Sequence, residues 1–402
     1  MRTSDALVVG AGPSGSAAAA LLAREGYRVV LLDRAAFPRD KPCGEFVNPG
    51  ACDLLGSVFG ITRDELIEAG GHAITQVRLQ LRDAEPLTIL LTDAAGSRVS
   101  GVSIRRTALD ALLVDRCRAL GVDVRENHNV RTFERHGSEV AVSGQAGDAP
   151  FSLPTRLLIA ADGTNSLIAR REGLVVPKPR LCSIGLVAHF AEPLSESGAE
   201  SVTMFPSFGD GLLFGYSPQA GGAVLSGSAP SRDKRRLADD PIGFLRTWAG
   251  RQPSLSGLGS PEGGAVRTTA CFGHRLRRSF GDRVLFLGDA ARFSDPFTGE
   301  GIHHALQSAV LAAEVACGAL KADDLGAPNL AAYESGRTEL TERYTLCELV
   351  RAICMNPAIS SYVARRLDRR PSLGRTLISA LADVVPANRI LQPGYLIRAL
   401  AP

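Results

Sequence analysis

The sequence feature that most constrains the fold of this chain is a glycine-rich turn between a short apolar run and a predicted helix. Residues 6–9 form a continuous apolar run, as expected of a buried parallel strand. Gly10-Ala-Gly12-Pro-Ser-Gly15 follows, and residues 14–25 predict a small-residue helix that ends at Gly26. A second apolar run, residues 27–32, ends at Asp33. This order predicts the start of a βαβ unit.

Each glycine of the turn has its own physical use. Gly10 permits the tight turn, Gly12 lets the backbone approach a pyrophosphate, and Gly15 lets the helix pack on the strand. The helix N-terminus supplies N–H donors and a positive dipole to phosphates. Asp33 is placed to accept a hydrogen bond from a ribose hydroxyl, which fits the unphosphorylated ribose of FAD or NAD. We therefore predict a dinucleotide site.

The remaining pattern predicts α/β segments that enclose two β-rich insertions. Residues 77–81 and 87–91 alternate as antiparallel strands do, residues 106–120 predict a helix, and residues 157–161 and 284–287 predict buried parallel strands. A charged helical piece, residues 232–251, interrupts the second insertion. The predicted division is a discontinuous nucleotide-binding domain (residues 1–72, 100–180 and 275–335), a β-rich substrate domain (residues 73–99 and 181–274) and a C-terminal helical segment (residues 336–402).

Composition excludes several classes of protein. The chain has 402 residues with 45 Lys+Arg against 42 Asp+Glu, too balanced for nucleic-acid binding by counterion release. Its eight cysteines form no Cys-x-x-Cys pair, so we predict no metal site. No stretch of roughly 18 apolar residues predicts a membrane span, and the first apolar run is too short for a signal peptide. We expect a cytoplasmic protein; peripheral membrane contact by the apolar tail stays open, and the sequence does not indicate the oligomeric state.

Two further acidic motifs also follow predicted strands. Asp162-Gly163 follows residues 157–161, and Gly288-Asp289 follows residues 284–287. The second motif continues through Pro296-Phe-Thr-Gly299-Glu-Gly301 into a helix. A carboxylate at a strand end is well placed to hold a polyol chain, and the Gly299 segment offers N–H groups to a ring edge or a phosphate.

In this order, the three motifs resemble those of the FAD-dependent oxidoreductases with the p-hydroxybenzoate hydroxylase fold. Residues 37–45 and 298–308 are similar to the geranylgeranyl reductase-like branch. The resemblance covers about residues 1–315. It implies an α/β chain: a Rossmann-like FAD-binding domain, an inserted antiparallel β-sheet substrate domain of α+β character, and C-terminal helices.

The resemblance also implies residue roles. FAD would contact Gly10, Gly12, Pro13, Ser14, Gly15, Asp33, Arg34, Cys43, Gly44, Arg106, Asp162, Gly163, Asp289, Pro296, Gly299, Glu300, Gly301 and Ile302. There is one dinucleotide fingerprint, so NADH or NADPH would bind transiently as the reductant. The flavin would carry the redox chemistry. The candidate catalytic side chains are those of Cys43, Glu45, Tyr216 and His303.

The positions at which this sequence differs from the family's motifs indicate which reaction to expect. The Trp of many isoprenoid reductases is absent, and Leu212-Leu-Phe-Gly-Tyr-Ser-Pro218 stands there instead. An Arg usual in the family is replaced by Ala169, followed by Arg170. Phe214 and Tyr216 could stack on a planar ring. The expectation is therefore O₂-dependent hydroxylation of a lipophilic aromatic or polyketide-type small molecule. The alternatives are reduction of an isoprenoid C=C bond and, more weakly, a non-catalytic flavoprotein partner.

Overall fold

A computed structural model describes residues 3–80, 86–93, 95–177, 183–194, 200–207, 211–269, 273–293, 298–354 and 356–400. Its strands are β1 Ser4–Val9, β2 Val29–Leu32, β3 Phe46–Val47, β4 His72–Ile74, β5 Gln76–Leu79, β6 Leu87–Leu90, β7 Gly101–Ser103, β8 Asp123–Arg125, β9 His128–His136, β10 Glu139–Ala146, β11 Ala149–Ala160, β12 Val175–Pro177, β13 Ser183–Phe190, β14 Ser201–Ser207, β15 Leu212–Gln219, β16 Gly222–Pro230, β17 Arg267–Thr268, β18 His274–Leu276, β19 Phe280–Gly281 and β20 Val284–Phe286.

The α-helices alternate with these strands and then fill the C-terminal part of the chain. They are α1 Pro13–Arg24, α2 Pro49–Phe59, α3 Arg63–Glu68, α4 Arg106–Ala119, α5 Leu167–Arg171, α6 Lys234–Asp239, α7 Pro241–Ala249, α8 Gly301–Lys321, α9 Ala327–Leu330, α10 Ala332–Gly336, α11 Thr338–Cys354, α12 Pro357–Arg369, α13 Pro371–Leu381, α14 Asn388–Leu391 and α15 Pro393–Leu400.

An eight-stranded sheet forms the centre of the first layer. Its path is β19-β20-β11-β1-β2-β8, with β10 and β9 added beside the first half of β11. Strands β20, β11, β1, β2 and β8 are parallel to their neighbours on this path, whereas β19, β10 and β9 pair antiparallel. The parallel strands end at one edge of the sheet. That edge therefore receives the residues that follow each strand, which include Gly10, Asp33, Asp162 and Asp289.

Small residues let the helices lie close above this sheet. Helix α1 packs against α8 and α4, and Ala17, Ala18, Ala19 and Ala20 are completely buried. Alanines of α8 meet them in the same core. On the opposite face, β9, β10 and α5 close a second core around Leu7, Leu158 and Phe286. The predicted α/β fold class is confirmed.

A seven-stranded sheet forms the second layer. Its order is β17-β13-β16-β15-β14-β5-β6, antiparallel except where β14 runs parallel to β5. It thus joins strands from residues 76–90 to strands from residues 183–268. One face carries α7, where Trp248 stacks on Phe214 with ring centroids 3.9 Å apart and meets Phe205 edge-on.

Two local differences from the predicted elements have simple causes. The charged helical piece is divided into α6 and α7, because Asp240 caps a new helix that begins at Pro241. The hairpin β9–β10 was not predicted from the sequence, since its mixed polar pattern lacks a regular apolar face. None of the described helices combines the length and apolar character that crossing a bilayer requires.

Helices α11–α15 build a separate core around Leu346, Leu367, Leu373 and Ile390. This core is tied to the rest of the molecule by Asp383, in the loop after α13. The Asn48 amide donates to the Asp383 carboxylate, and Arg343 also pairs with it. The C-terminal helices are therefore fixed against α2 and α8 by buried polar contacts as well as apolar ones.

Trp248 offers a test of the second layer. We expect Trp248→Ala to lower stability by about 3–5 kcal/mol, the usual effect of deleting a buried Trp side chain. The midpoint of denaturant unfolding measures it, with Trp248→Phe as the smaller change. The FAD content of the folded variant should stay unchanged, because α7 lies on the face away from the cavity described below. An unchanged midpoint would contradict the packing.

Candidate functional site

A cavity of about 1010 Å³ connects the carboxyl edge of the parallel strands with the C-terminal helices. That volume is at the upper end for a small-molecule site. One part is lined by the glycine-rich turn and polar residues that include Asp33, Arg39, Asp162 and Asp289. Another part is lined by aliphatic side chains of α11–α15. The cavity thus has a polar region and a long apolar region.

The glycine-rich turn has the geometry that its sequence predicts. Gly10 has a φ of +102°, and a Cβ there would lie 2.3 Å from the carbonyl oxygen of Ala161. A Cβ on Gly15 would lie 1.8 Å from the Gly10 carbonyl oxygen, so helix and strand touch through backbone. At Gly12 a Cβ would meet, among the described residues beyond its chain neighbours, one atom within 4 Å, an Arg39 nitrogen 3.7 Å away. Gly10 and Gly15 are therefore required by the fold, whereas Gly12 leaves open space in the cavity.

Asp33, Asp110 and Arg39 form a charged wall beside this turn. Asp33 accepts hydrogen bonds from the Ala11 and Ala35 amides, each at 2.9 Å. Arg39 lies between two carboxylates, 3.5 Å from Asp33 Oδ2 and 3.0 Å from Asp110 Oδ2. Since each carboxylate oxygen has two lone pairs, Asp33 keeps capacity for a hydroxyl donor.

The buried Arg106 is oriented by its own helix. Its Nε and Nη2 donate to the two Asp110 oxygens, at 2.8 and 2.7 Å, in an i,i+4 pair. Burial alone would lower the pKa of Arg106, but the Asp110 carboxylate and Cys43 raise it. Arg106 is therefore a permanent cation at the cavity wall.

The two Asp motifs lie at adjacent strand ends. Asp162 Oδ2 accepts from the Leu167 amide at 2.7 Å, and burial raises the pKa of Asp162. Its other oxygen is buried with no hydrogen-bond partner among the described residues. Asp289 Oδ2 is 3.4 Å from Thr164 Oγ1 and 3.9 Å from Lys41 Nζ. Both carboxylates line the cavity.

Cys43 and Glu45 lie on the loop between the two layers. The Cys43 thiol accepts from the Glu45 amide at 3.4 Å. The Glu45 carboxylate accepts from the Arg106 amide and from Gln219 Nε2, at 3.0 and 2.6 Å, and lies 2.9 Å from His189 Nε2. Glu45 is 2% exposed and has a positive φ of 57°. Its contacts join the loop to the second sheet, so its geometry is that of a positioning residue at the cavity wall.

Most predicted cofactor residues line the cavity. These are Gly10, Gly12, Pro13, Ser14, Asp33, Arg34, Cys43, Gly44, Arg106, Asp162, Gly163, Asp289, Gly299, Gly301 and Ile302. Gly15 supports the helix behind them. Pro296 lies outside the described residues. Arg170, considered as a replacement for the family Arg, is exposed and also borders the cavity.

Three predicted site residues lie away from the cavity wall: Tyr216, Glu300 and His303. Tyr216 is completely buried in the core under α7, where its hydroxyl accepts from the Leu194 amide at 2.7 Å. Its neighbours Gly215 and Ser217 line the cavity, so alternation along β15 points Tyr216 to the other face. Glu300 and His303 do not line the cavity either. They begin α8 and point into a buried polar cluster behind it.

That cluster contains two buried acids whose pKa values are shifted in opposite directions. His303 Nδ1 lies 3.0 Å from Asp383 Oδ2, and with Arg343 it lowers the pKa of Asp383 against the effect of burial. Burial, together with the Asp383 charge, raises the pKa of Glu300 well above its usual range. Burial lowers the pKa of His304 to about 3, and its Nε2 is 3.0 Å from Glu300 Oε2. Burial thus disfavours the charged form of both Glu300 and His304, so their 3.0 Å contact is not that of an ion pair.

The same cluster has the residue types of a metal site. Ligand atoms of Glu300, His304 and Cys347 all lie within 4.8 Å of one another. However, burial and Glu300 raise the pKa of Cys347, and Thr298 already donates to its sulfur. Metal ligands must be deprotonated, and the raised pKa values of Cys347 and Glu300 oppose this, so the cluster is a poor donor set.

The polar part of the cavity fits a dinucleotide. Helix α1 begins with Gly12 as its N-cap and has no side-chain cap, which leaves its N–H groups for a phosphate. Arg39 adds a cation beside Gly12. The unpartnered Asp162 oxygen offers an acceptor for a hydroxyl or an N–H group. These residues would hold FAD, with Asp33 at its ribose and Asp289 at its ribityl chain, as the resemblance implies.

Gly12 tests this fit. We expect Gly12→Ala to fold but to lose most bound FAD, because its Cβ occupies cavity space and comes only into ordinary contact, at 3.7 Å, with an Arg39 nitrogen. Gly10→Ala is the comparison, since it collides with the Ala161 backbone and should impair folding itself. Flavin absorbance per chain and circular dichroism distinguish the two effects. Full FAD content in folded Gly12→Ala would show that the pyrophosphate lies elsewhere.

Glu300 gives a pH prediction. Its pKa is raised in the folded protein, so its contribution to stability is lost progressively as the pH rises above the unfolded value of about 4.3. Glu300→Gln does not titrate, and we expect its Tm relative to wild type to rise from pH 4 to pH 8. Glu25→Gln, at an exposed position, is the control. A difference that is constant with pH would contradict a neutral Glu300.

The family model described as an FAD binding domain matches residues 3–224. Menaquinone reductase of Mycolicibacterium smegmatis is 29% identical over 77% of this chain and 76% of its own length. A digeranylgeranylglycerophospholipid reductase of Methanosphaerula palustris is 26% identical over 91% of this chain and 88% of its own length. Conditioned medium factor receptor 1 of Dictyostelium discoideum is 28% identical over 82% of this chain, which spans 66% of that protein.

Solved structures show the same fold. A flavoprotein/dehydrogenase from Cytophaga hutchinsonii superposes with a TM-score of 0.79 at 19% identity, over 99% of this chain and 96% of its own. The flavin-dependent brominase Bmp2 superposes with a TM-score of 0.79 at 20% identity, over 95% of this chain and 94% of its own. Because the family match covers more than half of the sequence, the chain belongs to the FAD binding domain family and is an FAD-dependent oxidoreductase of the p-hydroxybenzoate hydroxylase fold.

Proposed function

We propose that this protein is a flavin-dependent reductase that saturates a carbon–carbon double bond in an isoprenoid or similar long aliphatic chain. The observation that carries the proposal is the apolar extension of the cavity into the C-terminal helices. Its relatives include proteins named menaquinone reductase and digeranylgeranylglycerophospholipid reductase. NADH or NADPH is the proposed reductant.

The apolar extension is suited to a flexible hydrocarbon. Its walls come from four helices of the C-terminal core and the end of α11, and most of its side chains are aliphatic: Leu346, Leu349, Val350, Ile353, Val363, Leu367, Leu377, Ile378, Leu381, Ile390, Leu396 and Ala399. Burying a CH₂ group against such walls contributes roughly 0.8 kcal/mol. A chain of several isoprene units would thus gain affinity along its whole length.

The second sheet contributes small and aliphatic side chains, and no aromatic ring among the described residues, to the cavity wall. Small side chains at Gly215, Ser217 and Gly227 line it, with Leu213 and Met204 beside them. Phe214 and Tyr216, which suggested ring stacking, belong to the core on the opposite face. The feature that favoured an aromatic substrate is therefore absent from the described cavity wall.

Reduced FAD, when bound, supplies a hydride to one carbon of the double bond, and a proton completes the other. The protein's own residues orient and shield these partners. Cys43 is at the cavity wall between Arg106 and the Glu45 amide, which makes its thiol the candidate to hold a proton near the substrate. Glu45, fixed by Gln219 and His189, keeps that loop in place. The aliphatic walls exclude water.

Aromatic hydroxylation, the leading expectation from sequence, is the competing outcome. The discriminating assay supplies geranylgeranyl diphosphate and NADH or NADPH under strict anaerobiosis. We expect a product that gains two hydrogens per double bond, detected by mass spectrometry. Two results together would contradict reduction and favour hydroxylation. NADH or NADPH would be consumed only when O₂ is present, and a phenolic substrate would give a product with one additional oxygen atom.

A cavity-filling variant links the activity to the apolar extension. We expect Val350→Trp to lower kcat/KM for the long substrate about tenfold or more, equivalent to about 1.4 kcal/mol, while FAD content is kept. Ile67→Trp, at a 41% exposed position on α3, is the matched control. Equal loss in both variants, or none in either, would contradict a substrate path through these helices.

A further inference from the structure

We propose that α12 and α15 form a docking surface for an anionic lipid bilayer. The proposal goes beyond the reductase function, because it concerns where the protein binds and not which bond it reduces. Residues 356–400 contain two aspartates, no glutamate and no lysine, against seven arginines: Arg365, Arg366, Arg369, Arg370, Arg375, Arg389 and Arg398. The whole chain has a net charge of only +3, so positive charge is concentrated in this segment.

Three of these arginines contact the backbone of α15 and are here called the arginine patch: Arg366, Arg370 and Arg398. Arg366 Nη2 and Arg370 Nη1 on α12 both donate to the Arg398 carbonyl oxygen on α15, at 3.3 and 3.4 Å. Arg398 Nε donates to the Gly394 carbonyl at 3.0 Å, one turn earlier in the same helix. The contacts bring two guanidinium groups together at the end of α15, and the third lies along the same helix.

Acidic partners of these arginines are absent among the side chains that the structure describes. No ion pair joins any of the seven to one of those acidic side chains, whereas arginines elsewhere do pair, as Arg292 does with Glu348 at 2.8 Å. Clustered guanidinium groups repel one another, and an external anion relieves that repulsion. Phosphate groups match the guanidinium fork in a bidentate manner.

The same two helices also expose apolar side chains. Ile397, next to Arg398, is 62% exposed, and Ile359 at the start of α12 is 43% exposed. Their chain neighbours Leu396 and Ser360 line the apolar cavity. Each of the two helices therefore presents one face to the cavity and an arginine- and isoleucine-bearing face to solvent, which is the pattern of a helix that lies in a bilayer interface.

This combination favours lipid over an acidic protein or a nucleic acid. Nucleic acids and acidic polymers would engage the arginines but would leave Ile397 without a partner. A bilayer surface engages both, since headgroup phosphates meet the guanidinium groups while Ile397 enters the acyl boundary. The apolar cavity beneath the same helices would then lie next to the membrane.

The test is co-sedimentation of the full chain, with FAD, on vesicles of phosphatidylcholine with and without phosphatidylglycerol. We expect binding only to the anionic vesicles, weakened by high salt because the attraction is screened. Each arginine near an anionic surface contributes about fivefold in affinity, so Arg366→Gln/Arg370→Gln/Arg398→Gln should bind about 100-fold more weakly. Ile397→Ser should also weaken binding to vesicles.

The control removes three exposed arginines elsewhere, in Arg171→Gln/Arg235→Gln/Arg251→Gln. Retained binding by this control supports the patch, whereas equal loss in both triple variants overturns it. Failure of wild type to bind anionic vesicles, or binding to heparin that is stronger than to vesicles and insensitive to Ile397→Ser, also overturns it. The readout does not involve turnover, so it is independent of whether the reductase assay succeeds.

Discussion

The contact between the glycine-rich turn and the sheet is the constraint on which the site depends. Gly15 approaches the Gly10 carbonyl, and Gly10 approaches the Ala161 backbone, at distances that admit no side chain. This backbone packing brings the N-terminus of α1 to the edge where β1, β2, β11 and β20 end. Parallel pairing then places Asp33, Asp162 and Asp289 around the same cavity. Three motifs that are far apart in the chain become one site because their strands run in the same direction.

A second constraint is the buried polar cluster that joins the C-terminal helices to α8. Asp383 carries its charge in the interior because His303, Arg343 and Asn48 surround it. Removing one partner from such a group is costly, because it leaves the other charge without compensation. The cluster thus fixes α11–α15 beside the cavity. Glu300 and His303 contribute to the site by holding these helices.

The C-terminal helices give this molecule its particular character. The parallel sheet and its motifs are suited to bind FAD, as the family match supports. Aliphatic side chains of α11–α15 line the remaining cavity, whereas Ile359 on α12 and Ile397 on α15 are exposed. The proposed lipid-like substrate and the proposed docking to an anionic bilayer would therefore use different faces of the same two helices.

The sequence by itself determined the βαβ start, the parallel strands and the carboxylates that follow them, because close backbone packing and strand direction are encoded by local residue type. It also indicated Arg106, whose partner Asp110 is one helical turn away. Only the tertiary structure decided that Tyr216 belongs to a core, because a one-residue choice of strand face depends on the helix that packs there. Likewise, Asp383 and His303 are 80 positions apart, so their contact is not visible in the local sequence. The apolar pattern of the C-terminal helices is also the same whether their side chains fill a core or line a cavity. These assignments depend on long-range packing, for which the local pattern carries no signal.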